Sequence, residues 1–276
     1  METNKIEYSV LMSVYCKEKP EWLELSIKSM LNQTVFPSEF VLVKDGRLTD
    51  ELESVINKYI KEYSDLFNVI TLEKNIGLGA ALKIGVENCK KIWIARMDSD
   101  DYSIPTRIEK EFDFLEKNPN YDIIGSWHKE FIGNIDNVVT TKKLPETNAE
   151  IIKYSKMRNP FSHPSVLMRK DKVLNADNYR SYHLVEDYDM WVRMIRNGCK
   201  CYNIQESLIF VRVSEDLYKR RGGMKYLKSI LKFKSEQFKI GYMSFSNFFI
   251  SSFSSTVVCL IPSSLRKFVY EKLLRK

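Results

Sequence analysis

Short apolar runs alternate with amphipathic segments through the first 120 residues, and this alternation constrains the fold more than any other feature. Two of the amphipathic segments begin at a proline and a third begins at Thr49, residues that favour the start of a helix. Strands that alternate with helices of about 10 to 15 residues predict an α/β fold, with a parallel sheet and right-handed crossovers. The predicted strands are YSVLMSVY, EFVLVKDG, FNVITLEKN and KIWIARMD, and the predicted helices are Pro20–Thr34, Thr49–Tyr63, Gly77–Cys89 and Pro105–Pro119.

The alternation weakens after Tyr121, which indicates a different organisation in the second half of the domain. YDIIGSWHKEFIGN predicts one or two strands at a mixed edge of the sheet, and HPSVLMRKD and SLIFVRVS predict one strand each. Two further helices are predicted at Asn148–Asn159 and Val185–Gly198. We therefore expect a domain over residues 1–215, in two halves that meet near residue 120, followed by a basic helical region at 216–276.

The composition excludes several classes of protein. A chain of 276 residues with 44% hydrophobic residues can bury a full core, which argues against disorder. The five cysteines include no Cys-x-x-Cys pair and the chain has only three histidines, so neither a disulfide framework nor a zinc site is expected. The cysteines are typical of reduced thiols in a cytoplasmic protein, and the N-terminus predicts a first strand rather than a signal peptide.

The net charge of +7 is unevenly distributed. From Lys219 to Lys276 there are 13 Lys and Arg against two Asp and Glu, a net of +11, which leaves a net of −4 on the preceding residues. Such a basic region predicts contact with an anionic surface. MKYLKSILKFKSEQFK and SSLRKFVYEKLLRK have the pattern of basic amphipathic helices that lie on anionic membranes. The intervening SFSNFFISSFSSTVVCLIP is barely of spanning length, so we interpret it as interfacial or packed against the body.

The alternative for this C-terminal region is a helical hairpin that covers the preceding domain. Nucleic-acid binding is disfavoured, because the region has no recognisable nucleic-acid-binding module and the rest of the chain is acidic. With a membrane role, the protein would be cytoplasmic and peripherally associated with the inner face of the cell membrane.

Three carboxylates follow the fourth predicted strand, in the segment KKIWIARMDSDDYSIP. Asp98, Asp100 and Asp101 stand at the carboxyl end of a parallel strand, where such sheets bind ligands. Their mutual repulsion raises their pKa values unless a cation is present, and Mg²⁺ or Mn²⁺ prefers such oxygen ligands. Asp98 and Asp100 project to the same side of an extended segment and can converge on one ion. The alternative is that one aspartate, Asp101 first among them, caps the helix at Pro105 while the others are solvated.

Five segments carry a family pattern in order over about residues 7–200: SVY, VLVKDG, EKNIGLGAALKIGV, RMDSDDYSIPTRIEKEFDFLE and VEDYDMWVRM. Together they resemble glycosyltransferase family 2, whose members use nucleotide sugars and have the GT-A fold. NPFSHPSVLMRK and RRGG further resemble the amylovoran-type bacterial branch, which extends lipid-linked polysaccharide repeats. Two positions depart from the family pattern. Lys44 stands where Asp or Asn is frequent, and Leu82-Lys83 where Arg is frequent, so Lys83 is the candidate substitute for that charge.

The resemblance implies a Rossmann-like, mostly parallel GT-A sheet flanked by helices, with a nucleotide-sugar-binding half at about 1–120 and an acceptor half at about 121–215. It implies that Asp100 binds the metal together with Asp98, and that Asp187 is the general base beside Glu186. The residues that it implies for nucleotide-sugar binding are Ser13, Tyr15, Asp45, Asn75, Lys83, Arg96 and Asp98. The candidates for acceptor or pyrophosphate binding are His163, Trp191, Arg220 and Arg221.

Several of these candidates also have a purely structural interpretation. Glu186 and Asp187 lie in a first helical turn, where the helix dipole favours acids. His163 is equally well explained as a hydrogen-bonded loop histidine, and Trp191 as a core residue. The pair at 220 and 221 is equally well explained as a solvated charge run.

The expected function is an inverting, metal-dependent glycosyltransferase. It would move a sugar, from a UDP-hexose by family default, to a lipid-diphosphate-linked glycan in bacterial O-antigen or exopolysaccharide biosynthesis. An anionic membrane surface is the expected further partner. One alternative is a sugar nucleotidyltransferase, which requires a glycine-rich phosphate loop after the first strand, whereas SVYCKEKPEW has no glycine. The other is an inactive nucleotide-sugar-binding scaffold, which the intact Asp100 and Asp187 disfavour.

Overall fold

The computed structural model describes residues 6–214, 222–262, 265, 266 and 269. Within these residues, nine strands form one sheet. The strands are β1 (Tyr8–Val14), β2 (Glu39–Lys44), β3 (Phe67–Thr71), β4 (Trp93–Asp98), β5 (Tyr102–Ser103), β6 (Ile123–Phe131), β7 (Val138–Lys142), β8 (Leu167–Arg169) and β9 (Cys201–Arg212). Their order across the sheet is β3-β2-β1-β4-β8-β6-β9-β5, with β7 paired to β6.

The strands β1 to β4 form the parallel part of the sheet that the alternation predicts. β1 pairs in parallel with β2 and β4, and β2 pairs in parallel with β3. Ser13 therefore lies beside Asp98, and Val14 lies beside Lys44. This register brings the carboxyl ends of β1, β2 and β4 to one edge, where ligands bind in sheets of this kind.

The second half of the sheet is mixed and differs from the prediction. The sequence predicts an edge at YDIIGSWHKEFIGN, whereas β6 lies inside the sheet between β8 and β9. HPSVLMRKD is a strand only at β8, because His163–Ser165 forms a 3₁₀ turn. The two-residue β5 and the partly exposed β7 have no counterpart in the prediction, since a very short or exposed strand gives no clear apolar alternation.

The helices are α1 (Pro20–Leu31), α2 (Asp50–Glu62), α3 (Leu78–Asn88), α4 (Arg107–Lys117), α5 (Asn148–Ser155), α6 (Lys170–Asn175), α7 (Glu186–Arg196), α8 (Gly223–Lys239) and α9 (Phe245–Leu260). The helices predicted between Pro20 and Gly198 and the one predicted in MKYLKSILKFKSEQFK are confirmed with ends shifted by a few residues, and α6 is additional. Most of the predicted amphipathic segment SSLRKFVYEKLLRK lies outside the described residues. Thr49 caps α2, because its Oγ1 accepts the Leu52 N–H. After α7 the chain turns at Gly198 with a φ of +86°, a left-handed conformation that glycine adopts without strain.

Two apolar layers cover the two faces of the sheet, because successive β1 side chains point to opposite sides. Tyr8, Val10 and Met12 pack with α1, α2 and α4 in one layer. Leu11 packs with α3 and α7 in the other layer, which contains the fully buried Trp191. Helices thus flank the parallel strands on both sides and fix the position of their carboxyl ends.

A buried ion pair on α4 lies against β4. Arg107 and Glu111 are both inaccessible to solvent, and the Arg107 Nε donates to the Glu111 carboxylate at 2.9 Å. The Arg107 Nη1 also donates to the Arg96 carbonyl at 3.2 Å. Burial raises the pKa of Glu111 to about 7, and the Arg107 charge opposes that rise. The ion pair therefore anchors α4 to the strand that leads into the acidic cluster.

The C-terminal helices α8 and α9 pack against the outer side of α7. Leu227, Ile230 and Phe233 of α8 form a small apolar cluster with Val185 and Tyr188 around the start of α7. Within the described part of the chain, no helix is both long enough and apolar enough to cross a membrane. α8 and α9 form the helical hairpin considered for this region, and it contacts the preceding domain at α7, at Tyr182 and at the end of α5.

Removing Arg107 alone should destabilise the protein. The Arg107→Met variant leaves the Glu111 carboxylate buried without its cation, a change that typically costs about 3–5 kcal/mol of unfolding free energy. Burial raises the pKa of Glu111 to about 7 even beside Arg107, and removal of Arg107 raises that pKa further, so the loss should shrink as the pH falls towards about 7 and the carboxyl of the variant takes up a proton. Urea unfolding followed by circular dichroism, on either side of that pH, measures both effects.

The matched control is Arg107→Met combined with Glu111→Leu, which removes both charges and fills the space with apolar atoms. This double variant should recover most of the lost stability. If it were as unstable as Arg107→Met, the ion pair would not be the interaction that stabilises this position.

Candidate active site

Three carboxylates meet at the carboxyl end of β4. One ligand oxygen from each of Asp98, Asp100 and Asp101 lies within 4.8 Å of the other two. The Asp98 carbonyl accepts a hydrogen bond from the Ser26 Oγ at 2.6 Å, which ties the start of this loop to α1. The structure thus brings together the two aspartates of the predicted pair and adds Asp101 to them.

Asp101 does not cap α4, which corrects the structural alternative for this residue. Its Oδ1 accepts the backbone N–H of Arg212 at 2.8 Å, at the end of β9. The N-cap of α4 is Thr106, which makes no side-chain capping bond. The Asp101 Oδ2 is buried and has no hydrogen-bond partner among the described residues. A buried carboxylate oxygen without a donor is suited to a cation, because an unpaired buried charge is otherwise costly.

Arg96 supplies positive charge to the three carboxylates from within the sheet. It is 1% exposed and forms an ion pair with Asp98. Burial raises the pKa of Asp100 to about 7; the charges of Asp98 and Glu18 add to the rise, and Arg96 opposes it. Burial also raises the pKa of Asp101. One buried arginine therefore offsets only part of the repulsion in this cluster.

Arg212 holds the same loop from its other side, and sequence reasoning missed it. Its Nε donates to the Asp100 carbonyl at 3.0 Å, and its Nη1 donates to the Gly133 carbonyl at 2.7 Å. The guanidinium lies 4.5 Å from the ring centroids of Trp22 and Phe131. The arginine lies in the predicted strand SLIFVRVS, but nothing in the sequence indicates that this strand ends beside the Asp100 loop.

Glu18 is a fourth acid near the cluster that sequence reasoning missed. Its carboxylate accepts the Ser99 hydroxyl at 2.6 Å and the Lys19 N–H at 3.0 Å. Burial raises the pKa of Glu18, and the charge of Asp98 adds to that rise. The segment CKEK carries no recognisable signal, since its contact with Ser99 joins residues 81 positions apart.

Asp45 lies at the end of β2 and orders the loop that leads into α3. Its two carboxylate oxygens accept the N–H groups of Ile76 and Gly77 at 2.7 and 3.0 Å, and the Asn75 side chain donates to its carbonyl at 3.2 Å. A Cβ at Gly46 would lie 2.7 Å from the Asn75 backbone nitrogen, so only glycine fits there. Asp45 and Asn75 thus form one unit, and each Asp45 oxygen keeps a lone pair for a further donor.

The other residues implied for nucleotide-sugar binding lie at different distances from this edge. Ser13 is the β1 neighbour of Asp98 in the sheet, and Tyr15 follows it at the open end of β1, 36% exposed. Lys83 is exposed on α3, and its charge acts on Asp177. Arg96, rather than Lys83, is the cation that contacts Asp98.

The two family departures are explained by their surroundings. The Nζ of Lys44 pairs with the Glu53 carboxylate of α2 at 2.9 Å, so this lysine is neutralised by the neighbouring helix. Leu82 is fully buried in the core between α3 and the sheet, where an arginine would not fit without a partner.

Glu186 and Asp187 form a second acidic group in the first turn of α7. The Asp187 Oδ2 accepts the Asn159 Nδ2 at 2.6 Å, and its Oδ1 accepts the Tyr188 N–H at 2.7 Å. Glu186 is buried, and burial raises its pKa to about 7; the charge of Asp187 adds to the rise, and Arg96 opposes it. The charge of the same arginine therefore acts on Glu186 as well as on Asp98 and Asp100.

His163 contributes a neutral ring to this site. It forms a 2.8 Å hydrogen bond with the Tyr179 hydroxyl, and both burial and the charge of Arg96 lower its pKa. Tyr179 is a further contact that sequence reasoning missed. Trp191 is fully buried and packs against Phe161 and His163, so it has the core position that was its alternative. Its ring packs against the ring of His163, and its side chain is not exposed to an open pocket.

Arg220 and Arg221 lie outside the described residues. Their expected contact with pyrophosphate stays a prediction.

Comparisons with known proteins agree with this geometry. The chain matches Glycosyl transferase family 2 over residues 9–176 and Glycosyl transferase family group 2 over residues 93–273. It is 38% identical to an Escherichia coli UDP-Gal:alpha-D-GlcNAc-diphosphoundecaprenol beta-1,3-galactosyltransferase, over 100% of this chain and 99% of that protein. It is 35% identical to the amylovoran biosynthesis glycosyltransferase AmsE of Erwinia amylovora, over 96% of this chain and 98% of that protein.

Two solved structures share the fold. S. aureus TarS 1–349 in complex with UDP-GlcNAc has a TM-score of 0.63 at 16% identity, over 84% of this chain and 66% of that chain. The mannosyltransferase PcManGT from Pyrobaculum calidifontis in complex with GDP-Man and Mn²⁺ has a TM-score of 0.64 at 10% identity, over 96% of this chain and 72% of that chain. The GT-A fold implied by the family resemblance is confirmed, and the chain belongs to glycosyltransferase family 2 and is a glycosyltransferase.

Proposed function

We propose that the protein is an inverting, metal-dependent transferase that moves a hexose from a UDP-sugar to a lipid-diphosphate-linked sugar in the biosynthesis of a bacterial surface polysaccharide. The observation that carries this proposal is the pairing of two acidic groups around one buried arginine. Asp98 pairs with Arg96 beside Asp100 and Asp101, and the charge of the same arginine acts on Glu186 at the start of α7. The name and full-length identity of the E. coli relative support the donor and acceptor classes.

The donor side of the site lies at the carboxyl ends of β1, β2 and β4. We assign the nucleotide to Asp45 with the Asn75 loop, with Ser13 and Tyr15 beside it. Asp100 and Asp98 would hold a Mn²⁺ or Mg²⁺ ion, since such ions take carboxylate oxygens. The close carboxylates, the raised pKa of Asp100 and the unpartnered Asp101 oxygen fit a cation at this position. When bound, a divalent ion supplies charge neutralisation for the diphosphate leaving group.

The acceptor side is centred on Asp187. The Asn159 amide holds the Asp187 carboxylate, which is positioned to accept the proton of an acceptor hydroxyl. The hydroxyl oxygen then forms a bond to the anomeric carbon as the bond to the nucleoside diphosphate breaks on the opposite face, which inverts that carbon. Glu186 precedes Asp187 in the first turn of α7 and is buried, and we assign it to orienting the acceptor or the start of that helix.

The basic region at 216–276 would associate peripherally with the anionic inner face of the cell membrane, where a lipid-linked acceptor is anchored. In this assignment, residues 1–120 bind the donor, residues 121–215 bind the acceptor, and the protein acts from the cytoplasm. The proposed function involves no nucleic acid.

Metal removal should abolish sugar transfer. Transfer to a synthetic sugar-diphosphate-lipid acceptor should stop in EDTA and return with Mn²⁺ or Mg²⁺. The metal should also raise the melting temperature of the protein, and this shift should grow as the pH rises through about 7, because protons compete with the metal for Asp100.

The Asp100→Asn variant should lose both transfer and the metal-dependent shift in melting temperature. Asp113→Asn, on the exposed face of α4, is the matched control and should keep both. Full transfer by metal-free protein in EDTA would rule out the metal assignment while leaving the transferase assignment intact.

Replacing Asp187 should slow chemistry without weakening donor binding. Asp187→Asn keeps the size of the side chain but removes its basicity, and loss of a positioned general base typically lowers kcat by about 10²–10⁴-fold. Glu186→Gln should have a smaller effect on kcat. Calorimetric titration with the nucleotide diphosphate and single-turnover transfer separate binding from chemistry. Normal turnover by Asp187→Asn would remove it from the mechanism, and parallel loss of nucleotide binding would make it a structural residue.

A further inference from the structure

The helix α9 has its apolar side facing outwards. Phe245, Phe249, Phe253 and Leu260 are each more than 60% exposed, and Val257 lies between them on the same face. These residues recur at helical spacing, so they form one continuous stripe along the helix, which we call the α9 face. In a globular protein the apolar side of a surface helix normally packs on the core. The α9 face therefore departs from what an aqueous environment favours.

The inward side of α9 is made of small and polar residues. Ser251 and Cys259 are buried there against α8. The Nζ of Lys234, buried in α8, donates to the Ser251 carbonyl and to the Ser255 Oγ, each at 2.6 Å. Small residues and interhelical hydrogen bonds inside, with apolar residues outside, are the arrangement of helices whose surroundings are lipid.

The hairpin formed by α8 and α9 carries a net positive charge. α9 itself contains no charged residue, whereas α8 carries four exposed lysines and a single acidic residue, Glu236. The lysines are Lys225, Lys228, Lys232 and Lys239. The aromatic surface extends onto α8, since the ring of Phe238 stacks on Phe248 with centroids 4.9 Å apart. An aromatic face with lysines on the adjoining helix complements an anionic bilayer interface, where rings enter the acyl boundary and ammonium groups meet phosphates.

We propose that the α9 face inserts into the interface of an anionic bilayer, to which the net positive charge of the α8–α9 hairpin is attracted. The proposal rests on the proposed function in one respect only, which is that insertion would bring the enzyme to a membrane-anchored acceptor. A helix of 16 residues is about 24 Å long, shorter than the roughly 30 Å hydrocarbon core, so α9 lies in the interface and does not span it. A second copy of the chain fits less well, because a symmetric contact through α9 would bring two positively charged hairpins together.

The same hairpin is joined to the acceptor side of the site. The ring of Phe233 on α8 packs against Tyr188 with centroids 4.6 Å apart, and Tyr188 follows Asp187 on α7. Tyr182, just before α7, donates to the Glu236 carboxylate of α8. One layer of helix thus separates the α9 face from the start of α7. Insertion of α9 would hold Asp187 near the depth at which a lipid diphosphate lies.

The full-length chain with Phe253→Trp tests insertion directly. The tryptophan emission of this variant minus that of the unsubstituted chain gives the emission of the new tryptophan, which we call the increment. When phosphatidylcholine vesicles that contain phosphatidylglycerol are added, this increment should shift to the blue. Lipids brominated near the headgroup end of the acyl chain should quench this increment. An increment that stays at its aqueous wavelength while the protein sediments with vesicles would overturn the proposal, because binding would then not involve the α9 face.

The paired variant Phe249→Ser/Phe253→Ser should weaken partitioning into these vesicles by about tenfold or more, because two large apolar side chains no longer leave water. Phe36→Ser/Ile92→Ser is the matched control, since both residues are exposed but lie far from the hairpin in the fold, and it should partition normally. Lys228→Gln/Lys232→Gln should reduce the dependence on phosphatidylglycerol and on low salt. Equal partitioning of the phenylalanine variant and its control would overturn the proposal.

Two acceptors distinguish this inference from the proposed function. With a water-soluble short-chain sugar-diphosphate acceptor, Phe249→Ser/Phe253→Ser should transfer sugar as well as the unsubstituted chain, whereas transfer to a long-chain acceptor in vesicles should fall with partitioning. If no chain transfers sugar to either acceptor but vesicle insertion is observed, the proposed function fails and the membrane surface stands. A different result would be that the unsubstituted chain sediments as a dimer and does not bind vesicles, while Phe249→Ser/Phe253→Ser sediments as a monomer. That result would assign the α9 face to self-association.

Discussion

Negative charge gathered at one edge of the sheet is the constraint on which the rest of the structure depends. Asp98, Asp100, Asp101 and Glu18 are brought together by the ends of β1 and β4, and their repulsion opposes folding. Arg96 offsets part of it from inside the sheet, and core packing on both faces keeps that arginine in place. Burial, together with the remaining repulsion, raises the pKa of Asp100 to about 7, so the folded protein retains an affinity for protons or for a cation.

The sequence predicted the parallel half of the sheet because each of its strands and helices has a local signal. The apolar run of β4, the proline at α1 and the Thr49 cap of α2 are all visible within a few residues. The pairing of Asp98 with Asp100 could be predicted for the same reason. Arg212 and Glu18 could not, because their contacts join segments 112 and 81 positions apart, and the Arg212 contact also depends on how β9 returns to the sheet. The sequence placed β6 at an edge because a residue pattern shows that a segment forms a strand but does not show which strands pair with it.

Arg96 gives the two halves of the site a common electrostatic centre. It pairs with Asp98, opposes the raised pKa of Glu186, and lowers the pKa of His163. Its Nε and Nη1 have no hydrogen-bond partner among the described residues, which is costly for a buried guanidinium. Such a cost is tolerable only where surrounding acids stabilise the charge, so the arginine and the two acidic groups require one another. A change in charge at either acidic group will therefore be felt at the other.

The position of Asp187 depends on the hairpin as well as on the sheet. Asn159, which holds the Asp187 carboxylate, follows α5, and α5 is fixed at its end by Ser155. The Ser155 carbonyl accepts the Tyr188 hydroxyl of α7 at 2.7 Å, and its Oγ is 2.5 Å from the hydroxyl of Tyr242, between α8 and α9. Ser155 thus joins the end of α5 to the start of α7 and to the loop of the hairpin. The surface that we assign to the membrane and the group that we assign to the acceptor proton are for this reason parts of one rigid arrangement, and movement of the hairpin would be transmitted to Asp187.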